Sequence, residues 1–439
     1  MKLRPYNIIQ LVLLFLMSFM GLACSAPEPE RAFITVDGAV FKNGEASYSF
    51  VGTNFWYGAY LGRPGEEGDR ERLIKELDIL VDHGITNLRI LGASEESVFE
   101  NSLDPVFIRE DGTYNEDLLI GLDYLLSEMA KRDMKAVIFL NNYWEWSGGM
   151  STYNGWFGDG PVIDPADGDW EAFMKYAARF YQNEEAQEAF RKYIHHLLTR
   201  TNTVNGQPYS EDSSIMSWQL ANEPRPGRGD MSEQDIQAYI DWVDQTAGYI
   251  KSLSPNHLVS SGSEGEIGSL NSMDIFIDAH DTPNIDYLTF HMWAKNWGWI
   301  DPQDMENTFN NALENASDYI EKHVEVARML NKPLVMEEFG FPRDGEQYNR
   351  NTSATYRDKY YTMVFSKVEE YEAFAGSNFW SWGGLGEALQ ENYWWEPGDP
   401  FTGDPPQEPQ GLNSVFADDS TTLSIIRNHA SKISNESRQ

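Results

Sequence analysis

The chain has 439 residues, with 69 acidic against 33 basic side chains, a formal net charge of -36, one cysteine, 41% hydrophobic residues and 13% aromatics. That apolar fraction and 14 tryptophans exclude a disordered acidic polymer, and the charge excludes the electrostatic footprint of a nucleic-acid binder. What remains is a chain long enough for a full core and a neutral or cationic partner; flat rings in this number suit the apolar faces of neutral sugars.

Lys2 and Arg4 precede an apolar run from Ile8 to Met20, then the small residues Gly21 and Ala23 stand before the only cysteine, Cys24. This pattern predicts an export signal over 1–23, because the run is short of the roughly 20 residues that span a bilayer. Cys24 at the cleavage site resembles the lipid-modified cysteine of bacterial lipoproteins, although Gly21 stands where such signals usually carry leucine. The expectation is a tether over 24–31 and an exported protein, held at the outer membrane or cell surface of a bacterium by a lipid on Cys24, or otherwise secreted or periplasmic. Membrane contact is expected only through that anchor, and the protein is expected to be a monomer.

From 32 to 439 the pattern predicts one domain. Phe33 to Ser49 alternates through Asp37-Gly38 and Asn43-Gly44 as a small hairpin does. Eight apolar runs then read as strands: Ser49 to Asn54, Thr86 to Leu91, Ala136 to Leu140, Ile215 to Leu220, Leu258 to Gly262, Tyr287 to His291, Leu334 to Glu338 and Gly376 to Trp380. Helical periodicity fills the gaps, as in Arg70 to His83, with Leu73, Leu77, Leu80 and Val81 on one face, and Met231 to Leu253, with Ile236, Ile240, Val243 and Ile250. Eight strand and helix units predict an α/β fold, a (β/α)8 TIM barrel with the hairpin as a cap. An open doubly wound sheet alternates similarly, but Gly52-Thr-Asn-Phe-Trp56 stands where its Gly-rich fingerprint would. A barrel needs about 250 residues, so the surplus falls in long βα loops, Asn141 to Asp169 and Gly383 to Gly411, which form a cleft at the strands' C-terminal ends.

The strongest local signal is Trp218-Gln-Leu-Ala-Asn222-Glu223-Pro224-Arg225, an apolar run ending in a glutamate that the following proline fixes at a strand's exit. Pro333-Leu-Val-Met-Glu337-Glu338-Phe339-Gly340 ends the same way. Three strand and helix units of about forty residues fit between them, which places Glu223 and Glu338 on the fourth and seventh strands, facing one another across the barrel mouth. Two such carboxyls can divide the work of glycosidic cleavage, one protonating the leaving oxygen and one attacking the anomeric carbon. Strand alternation lets only one of Glu337 and Glu338 face the axis, so Glu338 is the candidate and Glu337 belongs at the barrel rim. Glu264 and Glu266 after the fifth strand are either cleft residues or bystanders. No cofactor or metal is expected: His195 and His196 are adjacent rather than at ligand spacing, and no His-Glu-x-x-His or full Gly-x-Ser-x-Gly motif occurs.

Asn222-Glu223-Pro224 and Glu338-Phe339-Gly340, with Arg89, His291-Met-Trp293 and Phe379-Trp380, resemble glycoside hydrolase family 5 over nearly the whole chain beyond the signal. The opening Gly52-Thr-Asn-Phe-Trp56, Asn141-Asn142 followed by Ser147-Gly-Gly-Met150, Arg225, and Gly262-Ser-Glu-Gly265 are similar to the endo-β-1,4-mannanases within it. The resemblance implies a retaining enzyme with Glu223 as general acid/base and Glu338 as nucleophile, cutting internal bonds of mannan, glucomannan or galactomannan. It further implies that Asn222 holds the sugar 2-hydroxyl, that Arg89 and His291 surround the nucleophile, that Trp380 floors the cleavage subsite and that Arg225 reaches a leaving-side sugar. Trp56, Trp144, Trp293 and Glu264 join these as substrate-binding candidates. Arg89 beside Glu338 is expected to favour its ionised form, and a less well paired, partly desolvated Glu223 to stay protonated. A related β-1,4-glucanase and a non-catalytic surface glycan-binding lipoprotein are the alternatives. The second has no need of both glutamates.

Overall fold

The structure is a computed structural model that describes residues 32–158 and 160–436; the predicted signal, Cys24 and the tether lie outside them. From Phe33 onward the chain forms one compact unit. It opens with three short antiparallel strands, β1 (Ile34–Asp37), β2 (Val40–Asn43) and β3 (Ala46–Tyr48), so the predicted hairpin carries a third strand.

Eight parallel strands follow: β4 (Phe50–Asn54), β5 (Asn87–Leu91), β6 (Lys135–Phe139), β7 (Ile215–Gln219), β8 (Leu258–Ser260), β9 (Leu288–Met292), β10 (Leu334–Phe339) and β11 (Phe374–Phe379). Their hydrogen-bonded order, β8-β7-β6-β5-β4-β11-β10-β9, is that of a (β/α)8 barrel with one seam between β8 and β9. Every strand residue is buried, as expected where helices cover the outside and side chains fill the inside. The predicted fifth strand, Leu258 to Gly262, stops early because Gly262 adopts the left-handed region (φ 78°). Beyond it the seam closes irregularly: Asp286 N–H donates to Val259 O (2.9 Å), Thr289 Oγ1 to Ser263 O (3.0 Å) and His291 N–H to Glu264 O (3.2 Å).

Helix Arg70–Asp82 buries Leu73, Leu77 and Leu80 as predicted, but Val81 is turned to solvent. Helix Glu233–Leu253 is rotated from the predicted face, burying Tyr239 and Trp242 alongside Val243 and Ile250, because large rings outcompete Ile236 and Ile240 for the core. The N-terminal end of the barrel is sealed by a separate apolar cluster in which Ile34 and Phe41 meet Phe50, Met216, Leu258, Tyr287, Val335 and Ala375. At the other end, β12 (Trp382–Gly384) pairs with β13 (Val415–Phe416), which ties together the two ends of the long segment after β11.

Candidate active site

Glu223 leaves the barrel just beyond β7 with φ 51°, a left-handed conformation that costs a non-glycine residue energy and here turns its carboxyl inward. Its N–H donates to Gly262 O (2.9 Å), an approach open to glycine alone, since a Cβ on Gly262 would meet Ala221 O at 1.9 Å. Glu338 lies near the end of β10. The two carboxylates come from the fourth and seventh barrel strands and meet with His291: one ligand atom from each of the three lies within 4.8 Å of the others.

Glu337 departs from its predicted place at the rim. The ladder between β10 and β9 slips, pairing Met336 with Phe290 and then Glu338 with His291, so Glu337 is the unpaired residue of a bulge. Alternation is broken there and both carboxyls are buried in the barrel. Glu337 accepts from Gln219 Nε2 (2.5 Å) and Tyr287 OH (3.4 Å) and lies 3.7 Å from Arg89 Nε. Burial pushes its carboxyl pKa upward, against the pull of Arg89.

Arg89, fully buried on β5, forms a short ion pair with Glu338 and spends its other donors on Gln219 Oε1 (2.8 Å), Asn54 Oδ1 (3.1 Å) and Asn222 Oδ1 (2.8 Å). It thereby fixes Glu338 and the Asn222 amide together. Asn222 Nδ2 in turn donates to Asn142 Oδ1 (3.1 Å).

The expectation for Glu223 is corrected. It is the better-furnished carboxylate, accepting from His291 Nδ1 (2.6 Å), Trp144 Nε1 (2.5 Å) and Trp293 Nε1 (3.3 Å). Burial favours its neutral form, but the His291 hydrogen bond and charge, then Arg225 and Trp144, outweigh that and hold its pKa below the usual carboxylate range. His291 carries the complementary shift: burial disfavours its charge, yet Glu338 (3.3 Å) and Glu223 raise it to about 9. The proton is therefore held on the imidazole between two carboxylates. Oxygens already committed to Arg89, His291 and two indoles describe a hydrogen-bonded ion cluster rather than a set of free metal ligands.

Above the cluster opens a cavity of about 770 Å³. Of the predicted residues, Glu223, Glu338, Asn222, Arg225, Glu264, Trp144, Trp293 and Trp380 line it, while Arg89 and His291 support it from beneath. Arg225 pairs with Glu264 and lies 4.8 Å over the Trp144 ring. Burial raises the Glu264 carboxyl to about 7 despite that arginine. Trp56 does not reach the cavity: it is buried under the loops against Trp146 and Phe401, with its indole donating to Gly403 O (2.7 Å). Trp146, Trp297 and Trp299 line the cavity as well, whereas Tyr143, Trp156, Trp394 and Trp395 do not. Sequence reasoning missed Trp170, Arg228, Gln407 and Glu408. Trp170 stands directly after the predicted loop and was legible as an aromatic; Gln407 and Glu408 carry no motif.

The comparisons accord with this geometry. A family model described as GH family 5 beta-mannosidase-like matches residues 31–438. A glycoside hydrolase family 5 mannosidase from Rhizomucor miehei is 35% identical, with 94% of this chain and 100% of that one superposed at a TM-score of 0.83. A putative mannan endo-1,4-beta-mannosidase 4 of Arabidopsis thaliana is 26% identical over 97% of this chain and 96% of its own length. An endo-1,4-beta-mannanase from Rhizomucor miehei shares the fold at a TM-score of 0.68 and 23% identity, over 92% and 100% of the two chains.

Proposed function

Because the chain belongs to glycoside hydrolase family 5, we propose that it hydrolyses β-1,4-mannosidic bonds of mannan, glucomannan, galactomannan or their oligosaccharides by a retaining double displacement. The observation that carries the reading is the carboxylate spacing. Ligand oxygens of Glu223 and Glu338 within 4.8 Å fit the roughly 5 Å of retaining enzymes and leave no room for the interposed water of inverting ones, at about 6.5–9.5 Å.

Glu338, paired with and oriented by Arg89, attacks the anomeric carbon. Glu223 delivers the proton to the leaving oxygen. In the resting cluster that proton resides on His291 Nδ1, 2.6 Å from Glu223, so a short shift along an existing hydrogen bond charges the acid. Ester formation at Glu338 removes one of the two negative charges that raise His291. Glu223 then returns as base to activate water. Asn222, aligned by Arg89 and Asn142, faces the position of the sugar 2-hydroxyl, Trp380 supplies an apolar floor, and Arg225, held by Glu264, meets the leaving side.

The test is product release from mannohexaose, linear mannan and cellohexaose by the purified chain, Glu338→Ala and Glu223→Ala. Turnover of the mannosides, little of the cello-oligosaccharide and near-total loss in both variants are expected. Glu223→Ala should keep far more activity on p-nitrophenyl β-mannoside, whose leaving group needs little protonation, than Glu338→Ala. Turnover of cellohexaose alone would make it a glucanase, and mannan binding without turnover a glycan-binding protein.

The N-terminal pattern supports an exported enzyme anchored by a lipid on Cys24. Among the described residues no helix is long and apolar enough to cross a membrane. Intact mass of the mature chain tests this: a diacylglycerol on Cys24 is expected, and an unmodified N-terminus at another residue would reject it.

A further inference from the structure

We infer that Glu337 is a positioning residue for the nucleophile: it fixes which way the amides of Gln219 and Asn54 face, and those amides turn Arg89 toward Glu338 and Asn222. The inference rests on the hydrolase reading above and deepens it by giving the second glutamate of the Glu337-Glu338 pair a part in the reaction.

A guanidinium is a flat fork of donors, so its direction is set by the acceptors around its rim. Four hydrogen bonds hold that of Arg89, to Gln219 Oε1 from Nε, to Asn54 Oδ1 and Glu338 Oε1 from Nη1, and to Asn222 Oδ1 from Nη2. The amides of Gln219 and Asn54 each have one accepting and one donating end, and Arg89 is served only while both present oxygen. Turned about, each would set an N–H against an N–H in a site closed to water.

Glu337 fixes the sense of both. Its carboxyl Oε2 accepts from Gln219 Nε2 (2.5 Å), and its backbone carbonyl accepts from Asn54 Nδ2 (2.8 Å). With their nitrogens so held, the two amide oxygens are left to Arg89. Ser260 Oγ (3.0 Å) beside Gln219 Nε2 and Phe379 O (3.4 Å) beside Asn54 Nδ2 complete the pattern. Gln219 also bridges Glu337 and Arg89, whose Nε lies 3.7 Å from the Glu337 carboxyl. The guanidinium therefore gives its Nη groups to Glu338 and Asn222 rather than pairing directly with Glu337.

The bulge in β10 makes this possible. In a regular strand Glu337 and Glu338 point to opposite faces, and Glu337 would meet the covering helices. Because the ladder to β9 passes from Met336 to Glu338, the skipped residue brings its carboxyl into the barrel interior, where it is 1% exposed. An unpaired buried carboxyl beneath a nucleophile is costly, and here its acceptors are spent on Gln219 and Tyr287.

In the first displacement a Glu338 oxygen bonds to the anomeric carbon, the bond from that carbon to the leaving oxygen breaks, and the leaving oxygen takes its proton from Glu223. In the second, water reverses the ester. The hydrogen bonds from Gln219 and Asn54 to Glu337 do not involve Glu338, so they hold Arg89 and, through it, Asn222 in place while Glu338 passes from carboxylate to ester and back.

The experiment measures kcat and KM of the full chain on mannohexaose, together with its covalent inactivation by 2-deoxy-2-fluoro-β-mannosyl fluoride. Fluoride leaves without an acid, so the inactivation rate reads attack by Glu338, and the amount of sugar bound counts folded sites. Glu337→Ala should lower kcat and the inactivation rate together by about thirtyfold to three-hundredfold per site, with KM within about threefold of the parent. Glu337→Gln keeps an acceptor oxygen for Gln219 and should recover all but about threefold of that loss. Gln219→Met keeps bulk but no amide, so it should cost about as much as Glu337→Ala, and the double variant little more than either, because both cut one chain of contacts.

Additive losses would overturn the inference, as would Glu337→Gln falling as far as Glu337→Ala. A lowered unfolding temperature with an unchanged inactivation rate per site would make Glu337 a structural residue only. If Glu337→Ala does not fold, Gln219→Met and Glu337→Gln carry the test. Absence of mannoside cleavage by the parent would sink the hydrolase reading itself, whereas an active parent with an indifferent Glu337 would remove this role alone.

Discussion

The two ends of the barrel are built from the same eight strands on opposite principles. At the N-terminal end the strand starts Phe50, Met216, Leu258, Val335 and Ala375 meet Ile34 and Phe41 of the antiparallel cap in a dry cluster, with Phe41 edge-on to Tyr287 at 5.3 Å. At the C-terminal end Arg89, Glu223, His291, Glu337 and Glu338 are buried together. Apolar burial stabilises wherever it occurs, whereas buried charges stabilise only through mutual pairing and so demand fixed positions. The difference teaches that the capped end is held by apolar packing alone, whereas the opposite end tolerates strain, such as the φ of Glu223, in return for placed charges.

This contrast can be broken from either side. Glu338→Gln preserves shape and should lower kcat/KM on mannosides on the order of 10⁴-fold or more while moving the unfolding temperature little, as read by steady-state kinetics beside calorimetry. Phe41→Ala should do the reverse, costing about 3–5 kcal/mol in denaturant unfolding with kcat unchanged below the transition. A parallel drop in kcat would mean that the ends are coupled. A smaller effect is expected from Trp144→Phe, which removes the indole donor to Glu223 but keeps the ring: about tenfold in kcat/KM, with the alkaline limb of the pH profile moving to higher pH because the ionised carboxylate of the general acid has lost a hydrogen bond. An unmoved limb would sever Trp144 from the protonation of Glu223.

The smallest effect concerns pH and stability. Glu95 is fully buried near the loops over the barrel mouth, accepts from Gly149 N–H (2.7 Å), and burial raises its carboxyl to about 8. A folded-state pKa above the unfolded one means stability that is fully present below about pH 4.5 and lost as pH rises through about 8. Glu95→Gln should therefore flatten the decline in unfolding temperature between about pH 5 and 8, and an identical slope in the variant would assign that decline to other groups.

Much of the site was legible because its signals are local. Glu223 precedes a proline and Glu338 a Phe-Gly at the ends of apolar runs, and strand counting alone put them across the mouth. Trp380 ends the last run, and Arg89 stands on the second. Glu337 was misplaced because a bulge leaves no mark in an apolar run, where one residue more or less keeps the same hydrophobic pattern. Trp56 was read as a cleft aromatic because Gly52-Thr-Asn-Phe-Trp56 resembles the mannanases, yet packing turned its ring beneath the loops.

Composition, strand periodicity and the two glutamate motifs thus determined the barrel and where Glu223 and Glu338 stand on it, since each depends on spacing along the chain. Tertiary structure alone decided where the proton rests, which glutamates share the interior, and which aromatics reach the cavity. Those depend on distances between segments far apart in sequence, such as His291 to Glu223 and Arg89 to Glu338, and such energies exist only once the barrel has brought the segments together.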